Sequence, residues 1–598
     1  GVNLGGIVIN EDRDTIATFT PTHAGIGGFY FVPQPGKKYT AILQDKRANM
    51  VATSLPAASP LGYVMEVLEQ ENKLIVHVRA NTAEAFQQVY LFVHSINLTI
   101  KASVGTVNNG STQFELNGKD FPEGISHITL FNAKMEPLCE RLYFKQPVSI
   151  PMKVNASQTT YLPRGNVKLE LSVDNTESTN IFDLSVSVHK VDSIRSKELN
   201  IQNYFLLTSD LKGTIESPEF YFQSSSVAKA AVDNLMLTHG WRRFAWKRII
   251  NQQDERKEFI PELNGHIIQA SATVDDQPAV GASGYLAAPG KIIRVYPSRS
   301  GHDGNLYFEM LNFYGKSKIV VQKNTQEDSI TSLTVLSPFS DQYATLRTSP
   351  LILSTDWSEQ LQERSVAMQV EDIYKEKLPA TLPNNIDSTA FYGIPDATYL
   401  LDDYTRFPVL EEVLREYVPG VFVRKRKDGF HFLVVNKESN AVFRTSPLIL
   451  LDGVPIFDED EIMDFDPRLI KRLDVVQRRW LHGPGNFFGI VSFSTYNGDL
   501  AGFPLNPESI VLDYEGLQLQ REFYSPRYED KKQRDSRMPD QRTLLYWNPG
   551  VQTDKSGKTQ IEFYTSDLPG QYRVVVEGMN KDGDLCTSTT TFSVKGNN

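Results

Sequence analysis

Val167-Lys168-Leu169-Glu170-Leu171-Ser172-Val173 alternates apolar and polar residues without a break, and Leu184-Ser185-Val186-Ser187-Val188 repeats the pattern a few residues later. A period of two places every second side chain on one face, so each run reads as a strand of an antiparallel sheet with one buried face. Working outward, the same signal recurs at Lys73–Arg79, Gln88–Val93, Thr112–Leu116, Ile125–Phe131 and Arg141–Phe144. Before these, Ile16–Thr20, Gly28–Val32 and Lys38–Leu43 read as strands, with turns at Gly25-Ile26-Gly27-Gly28 and Pro35-Gly36. Short alternating strands separated by turn signals every 8–12 residues or so point to β-sandwiches.

Composition agrees. The 598 residues allow about four to six domains at roughly 100–200 residues each, with 40% hydrophobic and 22% charged residues. A net charge of −11 argues against a nucleic-acid binder, which needs a basic face. No run approaches the ~20 apolar residues of a spanning helix. Two cysteines, Cys139 and Cys586, are too few for a disulfide framework, a four-cysteine zinc site or an iron–sulfur cluster. The first residues, from Gly1 to Ile9, carry neither a basic n-region nor an apolar h-region, so we expect a trimmed chain whose targeting segment is gone.

Two stretches interrupt the strands. Asn203–Lys212 and Ser225–Trp246 place apolar residues at helical spacing, and the cluster Trp241-Arg242-Arg243-Phe244-Ala245-Trp246 reads as an aromatic plug seating a helix, in preference to a cation–π binding surface. Ser358–Tyr374 reads as a solvated helix, followed by a linker bearing Pro and Asn. Between them, residues 258–340 form another all-β unit, with His302-Asp303-Gly304 as the hairpin turn between Ile292–Tyr296 and Leu306–Phe308.

From residue 407 the pattern is mixed. Val409–Tyr417 is a helix ended by Pro419-Gly420. Val421–Arg424, Phe430–Asn436, Pro447–Leu451, Lys471–Val476 and Gly489–Thr495 are strands, and Asp460–Phe465 and Pro467–Ile470 helical turns. Residues 505–540 read as polar and irregular, and the end returns to strands.

Two resemblances follow from these residues. Pro447-Leu448-Ile449-Leu450-Leu451-Asp452-Gly453-Val454-Pro455-Ile456, then Asp466-Pro467-Arg468-Leu469-Ile470-Lys471-Arg472-Leu473-Asp474-Val475-Val476, His482-Gly483 and Gly489–Thr495 resemble, in order and spacing, the plug domain of TonB-dependent receptors. Gly27–Pro33, Tyr161–Gly165 and Leu184–Val188 are similar to macroglobulin-type sandwiches of the alpha-2-macroglobulin superfamily. So is the C-terminal stretch Leu545–Pro549, Phe563–Asp567 and Gly570–Val574. Residues 258–340 are similar to a carboxypeptidase-regulatory-like sandwich. The combination, with Leu235–Arg243, resembles exported envelope proteins of Bacteroidota.

The departures limit what carries over. A receptor plug precedes a barrel of about 22 strands, for which the 98 residues from 501 to 598 leave no room. Neither Pro137-Leu138-Cys139-Glu140-Arg141 nor Asp584-Leu585-Cys586-Thr587 matches a thioester motif, so covalent protease trapping is not expected.

The expected fold is therefore mainly β, with tandem antiparallel sandwiches and one α+β plug-like domain. The expected divisions are a small macroglobulin-like β domain (1–46), a sandwich (47–146), and a macroglobulin-like sandwich (147–255) with a helical insertion (203–246). A regulatory-like sandwich (256–350), a helix and linker (351–404), the plug-like domain (405–500), a polar linker (501–540) and a C-terminal β element (541–598) follow.

No catalytic constellation is legible: the ten His are scattered, with no His-Glu-x-x-His and no nucleophile elbow. The acidic run Asp458–Glu461 with Asp464 and Asp466 lacks calcium-loop spacing and suits a helix N-terminus instead. We therefore expect no enzyme, cofactor or metal. The candidate interaction surface comprises the basic run Arg424, Lys425 and Arg426, the turn Asp452-Gly453, and Trp480 and His482. The resemblances imply an exported protein of the periplasm or outer membrane. Its expected role is a scaffold whose partner is an outer-membrane barrel or envelope complex, in transport, secretion or assembly. The alternatives are a protease-interaction protein using 505–540 as an exposed bait-like segment, and a surface carbohydrate-binding protein.

Overall fold

The computed structural model describes residues 2–596 except 45–49, 82–85, 149, 175–180, 193, 195–198, 241–243, 253–259, 326–327, 344–352, 375–386 and 520. It is mainly β, with several antiparallel sheets. The chain divides into two compact units: Gly1–Glu255 with Leu351–Lys377 and Phe523–Asn598, and Arg256–Pro350 with Leu378–Glu522.

In the first unit, the strictly alternating strands find partners from the far end of the chain. Asn166–Val173 lies between Met152–Ala156 and Lys558–Tyr564 in a three-stranded sheet, with Leu169 opposite Ile561. Phe182–Lys190 lies between Gly570–Asn580 and Leu544–Gln552 in a five-stranded sheet completed by Leu585–Val594 and Thr160–Tyr161. Val167, Leu169, Leu171, Leu184, Val186 and Val188 meet Phe563, Val574, Val576 and Phe592 in one core. Residues 541–598, expected as a separate element, thus supply half the strands of the sandwich that begins at 147. Each half alternates on its own, and nothing local reveals the partner.

Residues 62–145 form one seven-stranded antiparallel sheet with Gly62–Gln70 and Pro137–Lys145 at its edges. Tyr63, Met65 and Val67 from one edge and Leu138, Cys139 and Tyr143 from the other pack on the same core, so the sheet rolls over itself. The four-stranded sheet of residues 6–54 contains Thr15–Phe19 and Thr40–Gln44, as expected. Gly28–Val32 does not join it: Phe29 stacks on Phe19 and on Phe31, and Phe31 meets Tyr39 edge-on, but the backbone makes no ladder. Among the described residues this unit's α-helices are Ile201–Leu206, Ser226–Thr238, Trp246–Ile250, Ser358–Tyr374 and the single turn Lys531–Arg534. Of the aromatic cluster, Trp241, Arg242 and Arg243 lie outside the described residues. Trp246 packs edge-on against Phe92, Phe131 and Phe244 and donates to Glu140, which is plug behaviour.

Part of the expected polar linker belongs to this unit. Arg164 is buried, with a backbone φ of 55°, and its guanidinium pairs with Asp567 and donates to the carbonyl oxygens of Gln533, Arg534, Ser536 and Met538. Residues 533–538 are thereby pinned to the sandwich through their backbone.

The second unit has two parts. His266–Val274, with Gln277–Pro278, Asn305–Met310 and Ser332–Val335, faces a sheet of Val295–Arg299, Ser283–Ala287, Lys316–Gln322 and Ile510–Glu515. The last of these strands comes from the expected linker; its alternation was masked by flanking polar residues. His302-Asp303-Gly304 is a turn, with Gly304 at φ 73°. It does not close a hairpin: the strands it joins enter opposite sheets, Val295–Arg299 pairing with Ser283–Ala287 and Asn305–Met310 with His266–Val274.

The other part is α+β. A mixed sheet runs Ala397–Leu400, Ile470–His482, Gly485–Thr495, Leu448–Leu451, Val454–Ile456, with Leu448–Leu451 parallel to Gly485–Thr495. Leu410–Tyr417 and Glu459–Met463 are its helices, and Leu410, Val413, Leu414, Ile462 and Met463 are buried against Ile449, Leu451, Leu473 and Phe493. Burying each such side chain contributes about 1.5–3 kcal/mol. A separate two-stranded ribbon, Val421–Arg426 with Gly429–Val434, completes the domain. The linker at 375–386 lies outside the described residues.

Candidate interaction surface

The seven residues singled out in the sequence separate into two sets. Asp452 and Gly453 form the turn between Leu448–Leu451 and Val454–Ile456, with φ values of 49° and 88° that suit a tight hairpin and require glycine or a short polar residue. Asp452 is fully buried, so it is no surface group. Its carboxylate accepts the Thr495 N–H and hydroxyl, both at 2.7 Å, and the Leu500 N–H at 2.8 Å. A buried carboxylate is tolerated when its lone pairs are met in this way. The Asp452 carbonyl accepts the Gly290 N–H at 3.2 Å, which ties the turn to the adjoining sandwich of the same unit.

His482 sits near the tip of the Ile470–His482/Gly485–Thr495 hairpin, which extends well beyond the strand ends expected from sequence. Its Nε2 donates to the Val295 carbonyl oxygen at 2.7 Å, and its ring lies 4.8 Å from that of Phe391. Trp480 is half-buried with the Arg478 guanidinium 5.2 Å from its ring, packed on the core that holds Ile293, Val295 and Tyr392. With Gln322 donating to the Pro455 carbonyl at 2.6 Å and the Phe391 N–H to Ile293 at 3.0 Å, these groups fasten the α+β domain to its sandwich. Their role here is internal.

Beneath the hairpin, the Tyr392 hydroxyl donates to Asp474 at 3.1 Å and Thr398 donates to the same carboxylate at 2.7 Å. Burial pushes the Tyr392 phenol far above its ordinary range, keeping it a donor. Sequence reasoning missed this buried group; the Leu-Asp-Val order of the strand, which puts an acid among core positions, was its one signal.

Arg424, Lys425 and Arg426 form the second set. All three are exposed on the ribbon, beside Phe422, which keeps 46% of its surface in solvent. Lys425 Nζ lies 4.6 Å from the Phe430 ring centre. Among the described residues no carboxylate pairs with Arg424, Lys425, Arg426 or Lys427; the nearby Asp428 bonds to His431 at 3.1 Å, which lowers its pKa.

The acidic run braces the ribbon from its other side. Asp458 caps the Asp460 N–H, while Asp460 accepts the Phe430 N–H at 2.7 Å and Glu459 the Phe432 N–H at 3.1 Å. Burial raises the Glu459 pKa, opposed by the Ser446 side chain, the Phe432 N–H and His431. Among the described residues no group of three His, Cys, Asp or Glu side chains is placed to hold a metal ion, and no helix is long and apolar enough to cross a membrane. Cys139 and Cys586 are free thiols.

No protein-family model matches the chain, and no curated protein does. Among solved structures, a tetra-tandem repeat in the extending region of a large adhesion protein matches at 10% identity and a TM-score of 0.16, covering 56% of this chain and 92% of that one. The native conformation of E. coli alpha-2-macroglobulin matches at 11% identity and a TM-score of 0.13, covering 99% of this chain and 44% of that one. Salmonella alpha-2-macroglobulin reacted with methylamine matches at 9% identity and a TM-score of 0.13, covering 100% and 37%. The chain thus spans less than half the length of either macroglobulin, and at these TM-scores the likenesses carry no argument of their own.

Proposed function

We propose that the chain is a non-enzymatic, exported scaffold of the outer membrane. Its plug-like α+β domain docks to, or works with, an outer-membrane barrel in transport, secretion or assembly. The observation that supports this reading is the contrast within that domain. Asp452, Asp474 and His482 are consumed by internal hydrogen bonds, whereas the ribbon presents to solvent an exposed aromatic ring and cations that no carboxylate among the described residues pairs at salt-bridge distance. A domain whose chemistry-bearing groups are locked, and whose charged surface is displayed on a rigid ribbon, suits recognition better than turnover.

The test is crosslinking in native envelopes, purification of the full-length protein and mass spectrometry of what is attached. A stoichiometric outer-membrane barrel is the expected result. Repeated recovery of the chain with no envelope protein would contradict the reading.

A further inference from the structure

We propose that the free edge of Val421–Arg426 is a strand-addition site for an acidic, extended segment of a partner protein. This rests on the interaction reading above and adds the chemistry of the partner.

The register shows which backbone groups are available. The ribbon closes at Arg426 opposite Gly429 around the two-residue turn Lys427-Asp428. In an antiparallel pair, residues alternate between those bonded across the ladder and those whose N–H and C=O point outward. On Gly429–Val434 the outward groups are visible from their partners. Phe430 and Phe432 donate to Asp460 and Glu459, and the Val434 carbonyl accepts the Phe443 N–H at 2.9 Å. That edge is shut. Phe430, Phe432 and Val434 lie opposite Lys425, Val423 and Val421, so these three point outward on the other strand. The Val421 N–H turns back to the Val418 carbonyl oxygen at 3.0 Å. The outward backbone groups of Val423 and Lys425 meet no described residue, and form a short open edge.

An open edge is usually guarded by charge, and here the guard also selects. Four cations in succession, Arg424 to Lys427, repel a second copy of the same edge. They favour a strand that sets carboxylates opposite them. Phe422, Arg424 and Arg426 share one face of the ribbon and Val423 and Lys425 the other. The matching segment is therefore acidic on both faces, with an apolar side chain opposite Phe422. An anionic membrane fits less well, because a planar surface needs its cations on one face.

The test uses the intact protein and a fluorescein-labelled synthetic peptide of consecutive glutamates, which sets carboxylates on both faces of a strand, with one leucine to meet Phe422. The controls are the same peptide with lysine for glutamate, one interrupted by proline, and vesicles of anionic lipid. The acidic peptide binds and slows amide exchange at Val423 and Lys425, and Arg424→Glu with Arg426→Glu weakens it by about tenfold or more. Val423→Pro removes one outward N–H and weakens binding while an unchanged melting temperature certifies the fold. Three results would each overturn the proposal: equal binding of the lysine peptide, binding without slowed exchange at Val423 and Lys425, or displacement of the peptide by vesicles. A barrel recovered from envelopes without peptide binding would sink this inference alone, and peptide binding without a barrel would sink only the choice of partner.

Discussion

Arg164 and Asp567 are 403 residues apart in the chain and meet as a two-armed ion pair, Nε to Oδ1 at 2.8 Å and Nη2 to Oδ2 at 2.7 Å. The same guanidinium donates to the carbonyl oxygens of Ser536 at 2.7 Å and Met538 at 2.6 Å. One buried side chain thereby closes the discontinuous sandwich and anchors the segment that leads into its last strands.

Removing it strips the guanidinium from Asp567, which keeps the Asp540 N–H, and leaves several carbonyl groups without this donor. Arg164→Ala is expected to destabilise the first unit by about 3–5 kcal/mol and to open residues 533–538 to protease. Arg164→Lys keeps the charge but loses the two-armed geometry and is expected to recover less than half of that loss. Thermal melts and limited proteolysis measure both.

Asp452 is the corresponding lock of the second unit. Asp452→Asn keeps the shape but aims an amide N–H₂ at the donors of Thr495 or Leu500. A loss of about 2–4 kcal/mol is expected by chemical denaturation, with faster amide exchange at Thr495 and Leu500. Asp452→Ala should cost at least as much.

Glu459 gives the α+β domain a pH dependence of known sign. Burial raises its folded pKa above the ordinary 4.5. Its contribution to stability is therefore fully present below that value and is lost as pH rises through the raised one. Relative to Glu459→Gln, the wild type should lose melting temperature between acidic and near-neutral pH. A flat difference across that range would refute the assignment.

The two thiols are unreactive by environment. Burial pushes Cys139 up to about 11 and Cys586 up to about 12. At pH 8 the thiolate fraction of Cys139 is then about a thousandth. Alkylation by iodoacetamide should be slow in the native protein and fast in denaturant, with Cys586 slower than Cys139.

These locks also mark where the sequence stops being legible. The strict alternation at Val167–Val173 identifies a half-buried strand, because period two needs no partner to be visible. Its pairing with Lys558–Tyr564 is a contact across about two thirds of the chain, and no local signal encodes it. Asp452-Gly453 is readable as a turn because positive φ favours those residue types, but the fate of the Asp452 carboxylate depends on Thr495, 43 residues on. His482 and Trp480 look like surface groups at a hairpin tip until the sandwich carrying Val295 is laid beside them. The basic ribbon is the exception: Arg424, Lys425 and Arg426 are consecutive, and a run of like charges remains exposed wherever the fold places it.

The central claim is that this ribbon meets a partner in the envelope. The most direct measurement places a photo-crosslinking residue at Phe422 of the full-length protein in its native envelope, with a control at Val64, exposed in the first unit. The account predicts a discrete adduct with an outer-membrane barrel from position 422 and none from 64. No adduct from 422, or the same adducts from both positions, would contradict it.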